Sequence, residues 1–150
     1  MILNRQRHVR VPVRGLEEFL ERAGKRLKIS PGAVAVCLVS NSLISRWNEK
    51  YRGKRGPTDV LSFRFDGGAA TEVLGPGAGA ASSRDSYLGD IAIAPAVAQR
   101  NARRRKRAFD HEMRILILHG LLHLMGYDHE TDNGEMERCE QRLRRELRLA

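Results

Sequence analysis

At 150 residues, 41% hydrophobic and 30% charged, the chain has the balance of one water-soluble globular domain, residues 1–150, and not of a disordered or fibrous one. No apolar stretch is long enough for a membrane helix, since even Ile115 to Met125 falls short of a bilayer about 30 Å thick. The net charge of +9, from 27 basic and 18 acidic residues, points to a polyanionic partner and away from a membrane-embedded role.

In chain order, residues 7–13 alternate apolar and charged and predict a strand, with Pro12 confining it to a sheet edge. Leu16, Phe19, Leu20, Ala23 and Leu27 fall at helical spacing and predict a helix over 16–27. Ser30, Pro31 and Gly32 make a turn. The β-branched run 33–39 predicts a buried strand. Residues 42–50 predict a short helix, followed by a loop over 52–57. Alternation over 59–65 predicts a half-buried strand, and 87–94 another. The two flank a Gly-, Ala- and Ser-rich stretch, 66–86, as a hairpin with an oversized tip. Pro95 opens a helix running to about residue 107. Asp110 is a candidate N-cap for a helix reaching Met125 that is apolar on nearly every side, so central and buried. A last helix, 134–149, turns Met136, Cys139, Leu143 and Leu147 inward. Strands followed by single helices give an α+β class, a small mixed sheet with helices packed on it.

The two cysteines, Cys37 and Cys139, lack C-x-x-C spacing and read as reduced thiols. The N-terminus has no charged start leading into an apolar run, so the expectation is a cytoplasmic protein.

The chemistry concentrates in His119-Gly120-Leu121-Leu122-His123-Leu124-Met125-Gly126-Tyr127-Asp128-His129. A spacing of four residues stacks His119 and His123 on one helix face. Gly126 provides a residue that adopts the left-handed conformation cheaply, so the chain can reverse and return His129 as a third ligand. Three imidazoles around one zinc ion leave a fourth position open, the pattern of a catalytic site. The metalloprotease motif H-E-x-x-H places its general base directly after the first histidine. Here Gly120 stands in that place, which disfavours a peptidase but not a hydrolase relying on a metal-activated water.

This motif resembles the signature of the YbeY family of bacterial endoribonucleases, also called ribosomal RNA maturation factors. Tyr51-Arg52-Gly53-Lys54 with Thr58-Asp59-Val60-Leu61-Ser62-Phe63 is similar to a second block of that family, and Leu88-Gly89-Asp90-Ile91 to a third. The blocks occur in the family's order. Arg64 departs from the family's usual proline, and residues 67–83 are a Gly/Ala-rich insertion. The resemblance implies a zincin-like metal-dependent hydrolase fold around a central metal-binding helix. It implies a zinc-dependent endoribonuclease specific for single strands, acting in 16S ribosomal RNA 3′-end maturation and ribosome quality control. It also implies ribosomal RNA and the ribosome or small-subunit proteins as partners. Arg52, which composition alone would leave as a surface arginine, is implied as a catalytic residue that neutralises charge on the scissile phosphate.

Other residues stay open between roles. Arg100, Arg103, Arg104, Arg105, Lys106 and Arg107 are either a solvated helix end or a set of phosphate contacts. Asp128 could cap a turn, orient an imidazole or act as a base. Asp59 and Asp90 are candidate partners of histidine N–H groups, with capping an equal reading for Asp59. Glu112 reads as half of a buried ion pair. Trp47 reads as core, and His8 and His111 as structural or exposed. The alternative to the nuclease is a ribosome-associated RNA-binding or assembly factor whose metal is structural.

Overall fold

The computed structural model describes residues 1–65, 87–127 and 132–149. Its elements are β1 (Ile2–Asn4), α1 (Val13–Arg26), β2 (Val34–Leu38), α2 (Asn41–Arg52), β3 (Val60–Arg64), β4 (Gly89–Ile93), α3 (Pro95–Arg104), α4 (Phe109–Leu124) and α5 (Glu135–Glu146). The strands form one mixed sheet in the order β1-β2-β4-β3. β1 and β4 run parallel to β2, with Ile2 opposite Val36 and Val34 opposite Gly89. β3 runs antiparallel to β4, Val60 opposite Ile93, which is the predicted hairpin; its tip, residues 66–86, lies outside the described residues.

β2 and β4 are buried at every position. Successive side chains of a strand point to opposite faces, so a strand buried throughout must be covered on both. On one face Val34, Val36, Leu38, Ile91 and Ile93 pack with α1, α4 and α5. On the other, Ala35, Cys37, Val39, Ala92 and Ala94 pack with Ile44 and Trp47 of α2 and Val97 of α3. Trp47 meets Phe63 edge-on at 6.2 Å, which makes it core as expected.

α4 is the central helix, with buried residues on all sides from Glu112 to Leu124. Each of its fully buried Leu, Ile and Met side chains contributes about 1.5–3 kcal/mol, far more than helix propensity, so the helix is held by its surroundings.

Two predicted features are different. Residues 7–12 are not a strand; the N-terminal edge strand is β1, three residues long. The Gln6 side chain donates to Val9 O and accepts from Val9 N, both at 2.9 Å, and this local bonding folds the segment into a turn despite its alternation. α1 then begins directly after Pro12. At the head of α4, the N-cap is Ala108 and not Asp110. Asp110 instead pairs with Arg114 one turn on, at 2.8 Å.

Candidate metal centre and its arginine wall

His119 and His123 project from the C-terminal half of α4, half-buried, with their Nε2 atoms 3.0 Å apart and ring centroids 4.6 Å apart. The chain reverses just after them, as predicted. Gly126 takes φ +99°, Gly126 N donates to His123 O at 3.0 Å, and Tyr127 N donates to Leu122 O at 3.1 Å. This pair of bonds is the Schellman ending, in which a left-handed residue lets the chain turn back over the last turn. The turn carries the Tyr127 carbonyl to His123 Nδ1, at 3.0 Å.

His119 Nδ1 lies 3.0 Å from Glu140 Oε1, supplied by α5. A carbonyl can only accept, and the Glu140 carboxylate also accepts from Arg144 Nη2 at 3.1 Å. Each ring therefore carries a proton on Nδ1 and turns its Nε2 toward the other ring. At 3.0 Å the two Nε2 atoms can share a proton or converge on a metal ion. Two nitrogens each about 2.0–2.1 Å from one tetrahedral ion would lie about 3.3 Å apart, within a few tenths of the spacing present. His119 and His123 are thus the described residues fit to hold a metal ion, with acceptors behind both rings as metal-bound histidines ordinarily have. The third predicted ligand, His129, and Asp128 lie outside the described residues. Among the described residues no group of three His, Cys, Asp or Glu side chains converges.

Gly120 has a packing role. A Cβ there would stand 2.8–3.0 Å from three side-chain atoms of Ile91, and its carbonyl accepts from Ser62 Oγ at 3.2 Å. The glycine lets α4 lie directly on the sheet. A glutamate at this position would point into Ile91 and not toward the histidines.

Beside His119 is a cavity of about 280 Å³ lined by Asp59, Arg105, Arg107, Glu112, Glu140 and Arg144, among others. Glu112 is fully buried and takes Arg105 Nη1 at 2.5 Å and Arg107 Nη1 at 3.0 Å, the expected ion pair. Of the basic run, Arg105, although exposed, and the half-buried Arg107 reach Glu112, while Arg100, Arg103, Arg104 and Lys106 are exposed without that contact.

Two further residues depart from the places expected of them. Arg52 is not in a loop: it is the last residue of α2, exposed, with left-handed Gly53 as C-cap, and α2 covers the sheet face opposite α4. Asp90 backs neither His119 nor His123. Alternation along β4 gives Gly89, Ile91 and Ile93 to the α4 side and turns Asp90 the other way, where it accepts from the Tyr87 hydroxyl. Burial first, then that bond, pushes the Tyr87 phenol well above its ordinary range. Asp59 lies 3.4 Å from Asn101 Nδ2. His8 is exposed and His111 half-buried. Glu140, which does back His119, is a residue that sequence reasoning missed. It does carry a signal: four residues after Met136 and three before Leu143, it sits as a lone charge on an inward-facing stripe.

The fold and site together define an α+β protein whose central helix presents a histidine pair with converging Nε2 atoms. A family model described as Endoribonuclease YbeY matches residues 1–148, and the chain belongs to that family. An Endoribonuclease YbeY of Koribacter versatilis is 38% identical over 149 residues, covering 99% of this chain and 86% of its own. One of Bacillus cereus is 41% identical over 125 residues, 81% of this chain and 76% of its own. The solution structure of TM1509 from Thermotoga maritima is 30% identical and superposes with a TM-score of 0.61, covering 98% of this chain and 89% of that one.

Proposed function

We propose that this protein is a zinc-dependent endoribonuclease that cuts single-stranded RNA in ribosomal RNA processing, including 16S 3′-end maturation and ribosome quality control. The reading rests first on the Nε2 pair of His119 and His123, facing at 3.0 Å with both Nδ1 atoms tied to acceptors. The names of its relatives, Endoribonuclease YbeY, supply the substrate class. The +9 charge suits a polyanion. Ribosomal RNA and the ribosome or its small-subunit proteins are the partners in this reading. The two free, buried thiols fit the reducing cytoplasm.

His119, His123 and His129 would hold one ion on a zincin-like helix, as an all-imidazole donor set favours zinc. When bound, such an ion supplies Lewis acidity and an activated water. Glu140 and the Tyr127 carbonyl fix the tautomer and aim of the two rings. Arg52 would stabilise negative charge developing on the phosphoryl group. Gly120 leaves the site without a protease-type base, which separates this chemistry from peptide hydrolysis.

Metal content and cleavage measured on one preparation test the proposal. About one equivalent of zinc is expected, with unstructured RNA cut in preference to structured RNA, activity lost to a chelator and restored by zinc. Zinc binding without cleavage would leave an RNA-binding assembly factor with a structural metal. Absence of any metal uptake would remove the centre altogether.

A further inference from the structure

The cavity beside His119 has more hydrogen-bond donors than the described residues use. α3 ends with Lys106 at φ +53°, and Arg107 N reaches back to Ala102 O at 2.9 Å. This is the same left-handed helix ending that follows α1 at Lys28 and α5 at Arg148. Here the reversal brings Arg105 and Arg107 from either side onto the two oxygens of Glu112. On the facing wall Glu140 gives one oxygen to His119 and the other to Arg144. All four oxygens of these two buried carboxylates are therefore engaged. A guanidinium has five N–H donors, and each of these three arginines spends one nitrogen on its carboxylate. Arg144 Nε is buried and, among the described residues, has no hydrogen-bond partner. Asp59 also lines the cavity, with its oxygens 3.4 Å from Asn101 Nδ2 and 3.5 Å from Thr58 Oγ1. What the wall has to spare is mostly donors, directed by rigid ion pairs, which is the arrangement that takes an oxyanion. At about 280 Å³ the space lies below most small-molecule sites and suits a single charged group with part of its sugar.

We infer that this cavity is a binding subsite for a phosphate of the RNA strand adjoining the one placed at the histidine pair, with Arg105, Arg107 and Arg144 as its donors. The inference rests on the endoribonuclease reading for the identity of the strand. Arg105, with a side chain 53% exposed against 28% for Arg107 and 20% for Arg144, is the arginine an incoming phosphate meets first. Arg103, exposed on the same helix, does not line the cavity.

The test compares Arg105→Gln with Arg103→Gln. The first leaves Glu112 paired with Arg107, so folding is kept. Binding of a single-stranded 2′-O-methyl oligoribonucleotide is measured across salt concentrations. Arg105→Gln should flatten the logarithmic salt slope by about 0.7, the value of one lost phosphate contact, and Arg103→Gln should leave it near wild type. In parallel, inorganic phosphate is titrated into wild-type protein while the arginine Nε–H resonances are followed; those of Arg105 and Arg144 should shift with saturation. Equal flattening in both variants, or phosphate that leaves both resonances unmoved, would overturn the subsite while leaving the nuclease reading intact. Shifts with phosphate but no oligonucleotide binding would keep the anion site and remove RNA as its source.

Discussion

His119 and Glu140, on different helices and 21 residues apart in the chain, meet Nδ1 to Oε1 at 3.0 Å. The contact ties α5 to one of the two histidines proposed to hold the ion. Glu140→Gln should lower zinc affinity by about 10–100-fold, the usual loss on removing a partner behind a ligating histidine, while leaving the fold intact. Competition against a chelating dye measures the affinity, and the absorption of cobalt-substituted protein reports whether the ligand field has changed. An affinity and a cobalt spectrum both like wild type would mean that Glu140 orients nothing.

Arg52 and His123 should separate under substitution. Arg52→Ala removes an exposed side chain from the end of α2, so folding and zinc content should stay as they are. RNA cleavage should nonetheless fall by about 10² or more, as when one preorganised charge stabiliser is removed. His123→Ala should lose zinc and cleavage together. Single-turnover cleavage by metal-loaded Arg52→Ala is the measurement that decides, and wild-type rates there would take Arg52 out of the mechanism.

Gly120 gives the opposite kind of prediction, one about packing. Alanine is worth about 1 kcal/mol over glycine in a helix interior. Here its Cβ would press to within 3.0 Å of Cγ1 and Cγ2 of Ile91, atoms too close to the backbone to swing aside. Overpacking of this kind costs about 1–3 kcal/mol, so Gly120→Ala should be destabilised by about 1 kcal/mol net. Gly120→Glu should lose far more and gain no peptidase activity. Urea unfolding checks the first; a stabilised alanine variant would mean that α4 sits less tightly on β4.

Cys37 is fully buried, and burial is the main reason its thiol is pushed up to about 11. The thiolate is the reactive form, so below the raised value little of it exists and even that little is enclosed. At pH 8 native protein should leave Cys37 unmodified by a thiol reagent, whereas denatured protein should react at both cysteines. Labelling of Cys37 in the native state at a rate comparable to that of a free thiol would contradict its placement between β2 and α2.

The elements legible in the sequence are those long enough to show a period. α1 and α5 repeat their apolar residues over three turns or more, α4 shows as one long apolar run, and β3 and β4 as two alternating runs. β1 has three residues, too few for any alternation to register, while residues 7–12 alternate by chance and are bent by Gln6. Alternation also says that Asp90 and Ile91 face opposite ways, but not which side α4 will cover, and that choice decides whether Asp90 can reach a histidine. The histidine pair is readable because both members lie on one helix. Glu140 and Arg144 approach from another, and such a meeting is fixed only by the packing of α5 on α4.

The order of strands across the sheet has a consequence for how the chain folds. Ile2 pairs with Val36, and Val34 with Gly89, so two of the three strand pairings join distant parts of the chain. Each parallel pairing must close a long loop before its contacts return anything, which places such topologies among the slower folders, in milliseconds to seconds. During synthesis β1 emerges first yet has no neighbour until β2 is made, and β2 stays open on its other edge until β4 emerges. β3 and β4 pair over the shortest separation of the three, Arg64 with Gly89, so substitutions there should slow refolding, while those in β1 should mainly hasten unfolding.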